Sequence, residues 1–281
     1  FETMNHFSPL LENNDIDIVC RANLICNDLG MDTISAGATL ACYAEIEQKR
    51  LSGHQILSLL ESIGTGTGIG KELGQGSYRF AQARSHPEAS MTVKRLELPA
   101  YDPRGAYGMA LGYAVSTRGG CHLRAYPIGN EILRKPVPTD RFSFSGKARI
   151  VKIAEDLNAI IDSLSACKFI FFAATIEEYA RAYNAVTGMK SSGHNLLRSG
   201  ERIYYGERMM NASNGFDASD DDLPRRFFKE SGTSTNTFEI KAIDRQDFLA
   251  VRANYYRIRG LDQKGRPTRE KAVALGLPWT D

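Results

Sequence analysis

The sequence has no run of apolar residues long enough to cross a bilayer, which takes ~18 in succession. The longest, Phe169-Ile170-Phe171-Phe172-Ala173-Ala174, is far too short, so no membrane role is expected of it. It also lacks a charge of one sign. Lys and Arg number 35 against 33 Asp and Glu, a net +2, and a near-neutral balance does not suit a dedicated nucleic-acid binder. DNA and RNA are therefore not expected partners. CxxC pairs are absent, and the five cysteines, Cys20, Cys26, Cys42, Cys121 and Cys167, are an odd set with no secretory leader before them. A reducing, cytoplasmic setting is the expectation. The histidines show no HExxH or other close metal-ligand spacing, so a zinc site made within the chain is not expected. Low-complexity tracts and internal repeats are missing as well.

What is present is helical periodicity. Apolar residues recur at three- and four-residue spacing from Ile16 to Cys26 and from Ile34 to Ile46. The same holds over His54–Ile63, Gly70–Arg84, Arg149–Leu164, Thr175–Val186, Asn195–Asn211, Arg245–Arg259 and Thr268–Ala274. Thr175 with Glu178 makes a capping box, and Ser192, Asp244 and Thr268 read as N-caps. Only Ser90–Leu98 has strand character. An all-α fold of two multi-helical domains follows, residues 1–92 and 93–281, the break placed after the Ser85-His86-Pro87 interruption. The stretch Asn214–Pro224, with Asp220, Asp221 and Asp222, reads as a solvated loop. Cys20, Cys26 and Cys42 fall on helical faces and read as buried small hydrophobes.

Gly64-Thr65-Gly66-Thr67-Gly68-Ile69-Gly70-Lys71 resembles a phosphate loop only superficially. Glycine at 65 and a hydroxyl at 72 would be required, and Thr65 and Glu72 stand there instead. It reads as a turn between two helices. Two other segments share one form: Asn27-Asp28-Leu29-Gly30-Met31-Asp32 and Asp162-Ser163-Leu164-Ser165-Ala166-Cys167. Each closes an amphipathic helix, where a tight turn can aim a carboxylate at what lies beyond. A pterin's amino group and ring N–H are one chemistry such a carboxylate can accept in two prongs. Arg118-Gly119-Gly120-Cys121-His122 sets an imidazole behind a glycine pair, where backbone can approach a ligand.

With these, the blocks Val93–Gly105, Gly108–His122 and Tyr255–Asp262 make the chain resemble, over nearly its whole length, the C-terminal two domains of tungsten-containing aldehyde:ferredoxin oxidoreductases. The resemblance implies two helical domains that oxidise aldehydes at tungsten, or molybdenum, held by two pterin dithiolenes beside a [4Fe-4S] cluster. It implies that Asn27, Gly30, Met31, Asp32, Asp162, Ala166 and Cys167 contact the cofactor. Cys167 becomes the fourth cluster ligand, expected to be shielded from solvent, with the other three in a CxxCxxxC motif upstream of Phe1. Glu2 aligns with an active-site glutamate and His122 with an active-site histidine: one to activate water, one to hydrogen-bond the carbonyl, facing each other across one pocket. Against the family pattern, Asn27 replaces an aspartate, Ser165-Ala166 replace Gly-Leu, and Arg95 replaces a glycine. The partners implied are a β-rich N-terminal cofactor domain or subunit, ferredoxin and an aldehyde, with a homo-oligomer of the chain as a further option. Within the enzyme class, a relative acting on a carboxylate or an aromatic acyl-thioester is the runner-up; outside it, a helical scaffold or partner subunit that has lost the cofactor.

Overall fold

The computed structural model describes residues 1–135, 137–237 and 239–279, all but Phe171 with their side chains. The last two residues of the expected span 93–281, and the Phe171 ring of the apolar run, lie outside that set. Two compact units emerge. One holds Phe1–Tyr101, Gly119–Cys121 and Leu223–Arg226; the other holds Asp102–Arg118, His122–Asp222 and Phe227 onward.

In the first unit the helices are α1 (Glu2–Phe7), α2 (Ile16–Asp28), α3 (Thr33–Ile46), α4 (Gly53–Thr65), α5 (Gly70–Leu73) and α6 (Ser77–Ala83). Their starts follow from short polar side chains that satisfy orphan N–H groups: Asp15 caps α2, Asp32 caps α3, and Ser52 with Gln55 forms a capping box on α4. Val19, Ala22 and Cys26 of α2 join Leu40, Ile56 and Leu60 in the core, and each large side chain so buried contributes about 1.5–3 kcal/mol. Cys20 is exposed, contrary to expectation, because one residue beyond Val19 the helix has turned ~100° away from the core stripe. The glycine-rich stretch after α4 is the turn expected, with Gly66 left-handed as its C-cap.

The expected single helix over Gly70–Arg84 is two. It breaks at Gly74–Gly76, with Gly76 at φ +86°, because the buried Glu97 carboxylate offers a better partner than helix continuation. Glu97 accepts the Ser77 N–H at 2.8 Å, the Ser77 hydroxyl at 2.9 Å and the Ser35 hydroxyl at 2.9 Å. The expected strand is likewise a hairpin, β1 (Thr92–Val93) paired antiparallel with β2 (Leu96–Glu97). Lys94 and Arg95 make its two-residue turn with φ of +49° and +68°, the sign that primed hairpin turns require. This hairpin is the one sheet among the described residues.

The second unit contains α7 (Tyr107–Val115), α8 (Ile128–Glu131), α9 (Lys147–Ser163), α10 (Ile176–Thr187), α11 (Gly193–Ser213), α12 (Arg245–Arg259) and α13 (Arg269–Ala274). The capping box at Thr175 and Glu178 and the caps Ser192, Asp244 and Thr268 are all formed. The Tyr255–Asp262 block proves to be an anchor. Arg259, fully buried on α12, pairs with Glu155 at 2.5 Å and with Asp156, both on α9. Glu155 also accepts the hydroxyls of Tyr204 at 2.7 Å and Tyr255 at 2.6 Å. A second buried pair corrects the reading of Asn214–Pro224 as solvated. Asp221 is fully buried, held by Arg208 at 3.0 and 2.7 Å and by the Tyr256 hydroxyl at 2.9 Å.

Candidate functional site

The two similar segments have one backbone geometry. After α2, Gly30 is left-handed at φ +68°, its N–H donates to Asn27 O at 3.3 Å, and the Met31 N–H donates to Cys26 O at 2.7 Å. After α9, Ser165 is left-handed at φ +53°, its N–H donates to Asp162 O at 3.1 Å, and the Ala166 N–H donates to Ile161 O at 3.1 Å. Both are Schellman closures. The closure by itself is ordinary, since α4 and α12 end the same way. Each of these two turns has an apolar residue turned inward and polar residues turned outward. Met31 packs on the core of the first unit and Ala166 on a core of the second, whereas Asn27, Asp32, Asp162 and Cys167 are exposed. Asp32 goes on to cap α3, accepting the Ser35 N–H at 2.8 Å.

In the first unit, Glu2 and Asp32 are neighbours. The Thr3 and Thr33 hydroxyls meet at 3.0 Å and tie the start of α1 to the start of α3. The Glu2 Oε2 accepts the Ala100 N–H at 2.9 Å and lies 3.6 Å from His6 Nδ1. Burial, foremost, holds the Glu2 carboxyl above its usual range; Asp32 pushes the same way, while the Ala100 N–H and His6 oppose. Gly119 and Gly120 lie against the hairpin backbone. The Gly120 N–H donates to Val93 O at 3.1 Å, and a Cβ would come within 2.7 Å of Val93 O at Gly119 and 2.6 Å of Leu96 O at Gly120. The close approach that the glycine pair permits is thus made to this chain's own backbone.

In the second unit, His122 lies near the Asp162 segment by way of residues that the sequence reading passed over. Its ring centroid is 5.9 Å from that of Tyr126, which meets Phe169 and Phe172 edge-on. Asp162 pairs with Lys168 at 2.7 Å and with Arg124 at 3.7 Å, and Arg124 with Glu207 at 3.2 Å. The available signal was slight: basic residues one place after Cys167 and two places after His122. Cys167 is exposed, not shielded as expected. It stands where the chain leaves α9 and opens the 3-10 turn Lys168–Phe172 at the surface. Among the described residues, no group of three or more His, Cys, Asp and Glu side chains is arranged to hold a metal ion.

The donors at each stop fit a polar group approached from outside: an amide and a carboxylate at the first and a carboxylate and a thiol at the second face solvent, while the apolar members are spent on the cores. The family described as "Aldehyde ferredoxin oxidoreductase, domains 2 & 3" matches residues 1–277. The chain belongs to the aldehyde ferredoxin oxidoreductase family. It is 38% identical to the tungsten-containing aldehyde ferredoxin oxidoreductase of Pyrococcus furiosus and 39% identical to that of Thermococcus kodakarensis. Each alignment covers 94% of this chain and 46% of the relative. An aliphatic sulfonate oxidoreductase, WOR-like subunit, from Pyrococcus furiosus is 26% identical over 90% of this chain and 41% of its own length. The chain thus spans just under half the length of these family relatives. The fold is shared with the active site complex BamBC of benzoyl coenzyme A reductase, at TM-score 0.72 and 18% identity over 98% of this chain and 48% of that one. Arg95 and Ser165, the places where the resemblance led us to expect glycine, both have positive φ.

Proposed function

We propose that this chain is the helical part of a ferredoxin-linked enzyme that oxidises aldehydes to carboxylic acids, with residues 1–92 and 93–281 as the family's second and third domains. The observation that carries the reading is the pair of identically closed helix ends with outward Asn27 and Asp32 on one and Asp162 and Cys167 on the other. Tungsten or molybdenum on two pterin dithiolenes, beside a [4Fe-4S] cluster, supplies the oxygen and electron exchange when bound. Asp32 and Asp162 accept the amino and ring N–H groups of the pterins, Asn27 contributes an amide, and Gly30, Met31 and Ala166 shape the turns. The Cys167 thiolate holds the cluster. Its other three ligands would come from a β-rich companion domain or subunit that also binds the cofactor, and the assembly works in the cytoplasm.

An aldehyde and a water yield an acid, two electrons for ferredoxin and two protons. Glu2, held above the usual carboxylate range by burial, is a stronger base than an exposed glutamate and takes the water's proton. His122 donates an N–H to the carbonyl oxygen, which gains negative charge as it is attacked. Elemental analysis of the complete assembly, purified without oxygen from its native cells, tests the reading. Tungsten or molybdenum together with iron is expected, and an intact assembly without these metals would leave the scaffold reading in its place.

A further inference from the structure

His122 stands between α7 and α8, on a segment with no helix or strand of its own. A side chain that must meet a carbonyl oxygen needs its place fixed within a fraction of an ångström, and an irregular segment needs outside support to supply that. In the second unit one face of α11 provides it. Tyr204, Glu207 and Asn211 follow one another there at three- and four-residue spacing, so they share that face. Asn211 Nδ2 donates to Thr117 O at 2.8 Å, and the Thr117 N–H donates to the Tyr204 hydroxyl at 3.3 Å. Glu207 reaches both flanks of the segment. Its Oε2 accepts the Thr117 hydroxyl at 2.6 Å, five residues before His122, and its Oε1 lies 3.2 Å from Arg124 Nη2, two residues after it.

One carboxylate with an oxygen on each flank closes the intervening segment much as a cross-link would. Beyond Arg124, the Tyr126 N–H donates to His122 O at 3.0 Å, which ties the backbone of His122 itself to the second flank. We infer that Glu207 is a positioning residue for the proposed aldehyde oxidation: it fixes the two flanks and thereby the place of the His122 N–H against the carbonyl oxygen. The inference rests on the assignment of His122 to that oxygen. Glu207 acts through His122 and not on the substrate. The hydrogen bond to the carbonyl strengthens as negative charge develops, so a displaced imidazole lowers kcat more than it raises KM.

The test measures acetaldehyde oxidation by the complete, metal-loaded assembly as wild type, Glu207→Ala, Thr117→Val, His122→Ala and the double variant Glu207→Ala with His122→Ala. Arg124 also pairs with Asp162, so tungsten, molybdenum and iron contents are measured alongside. In Glu207→Ala, kcat should fall about tenfold with KM little changed, short of the about 10²-fold expected when the imidazole itself is lost. Thr117→Val leaves Glu207 paired with Arg124 and should show the same pattern at smaller size; it decides the test alone if Glu207→Ala loads poorly. Adding Glu207→Ala to His122→Ala should cost nothing further, because a residue that acts through another is not additive with it. Hydrogen exchange in the same assemblies should quicken at the Thr117 and Tyr126 amides of Glu207→Ala and stay unchanged in α4. An unchanged kcat in fully loaded variants, or an equal fractional loss in the His122→Ala background, overturns the inference. Absence of turnover by metal-replete wild type overturns the oxidoreductase reading and the positioning role with it, and exchange at Tyr126 then decides whether Glu207 holds the segment at all.

Discussion

Gly30 and Ser165 hold the same place at the ends of two different helices, each left-handed, each followed by a residue whose N–H closes the helix from three positions beyond its last turn. Glycine takes that conformation freely, whereas a residue with a Cβ is strained there by about 1–2 kcal/mol. Ser165→Gly should therefore stabilise the second unit by about 1 kcal/mol, raising the urea midpoint. Gly30→Ala should destabilise the first by a similar amount, since no atom lies within 4 Å of the added Cβ and only backbone strain acts. A lowered midpoint for Ser165→Gly would contradict the strain argument.

Gly120→Ala is a different case, because its Cβ would lie 2.6 Å from a backbone oxygen of the hairpin. The nearest atom is backbone and cannot swing aside as a side chain could, so the hairpin must shift, and a loss of about 1–3 kcal/mol is expected. Thermal unfolding would measure it.

The pair of Arg259 with Glu155 lies wholly out of water. Removing one member leaves an uncompensated buried charge, so Arg259→Met should cost about 3–5 kcal/mol. Replacing both, as Arg259→Met with Glu155→Gln, should recover part of that loss. Chemical denaturation of the two variants is the check.

Burial pushes the Cys26 thiol up to about 11 and the Cys42 thiol up to about 12. A folded value above the ordinary 9.0 means that the fold prefers the neutral thiol. The stability so gained is complete below pH 9 and is lost as pH rises toward those values. Unfolding midpoints should drop between pH 9 and 11, less steeply in Cys42→Ala. In the folded, metal-free chain at pH 8, a thiol reagent should modify Cys20 and Cys167 quickly and the buried Cys26, Cys42 and Cys121 slowly; rapid modification of all five would refute the burial pattern.

Three substitutions and one control separate the proposed roles. Glu2→Gln and His122→Ala should each lower aldehyde turnover by about 10²-fold or more with metal contents intact. Cys167→Ala should lower iron content, while Cys42→Ala leaves it unchanged. Near-wild-type turnover in a fully loaded variant removes that residue from the mechanism, and the reverse iron pattern removes Cys167 from the cluster.

Much was determined by local sequence alone. Helical periodicity and the caps at Thr175, Ser192, Asp244 and Thr268 are local properties, satisfied within a turn or two of chain, and they formed as read. The two helix stops were legible for the same reason: a helix end draws on its last turn and the few residues after it. Only tertiary structure decided where Glu97 breaks a helix at Gly76, how Asp221 becomes buried, and that Tyr255–Asp262 anchors α12 to α9. In each case a charged side chain is held by partners far off in sequence, which periodicity does not encode. The exposure of Cys20 and Cys167, and the placing of Tyr126 against both His122 and Phe169, are of this second kind, because burial and ring contact depend on which elements pack together.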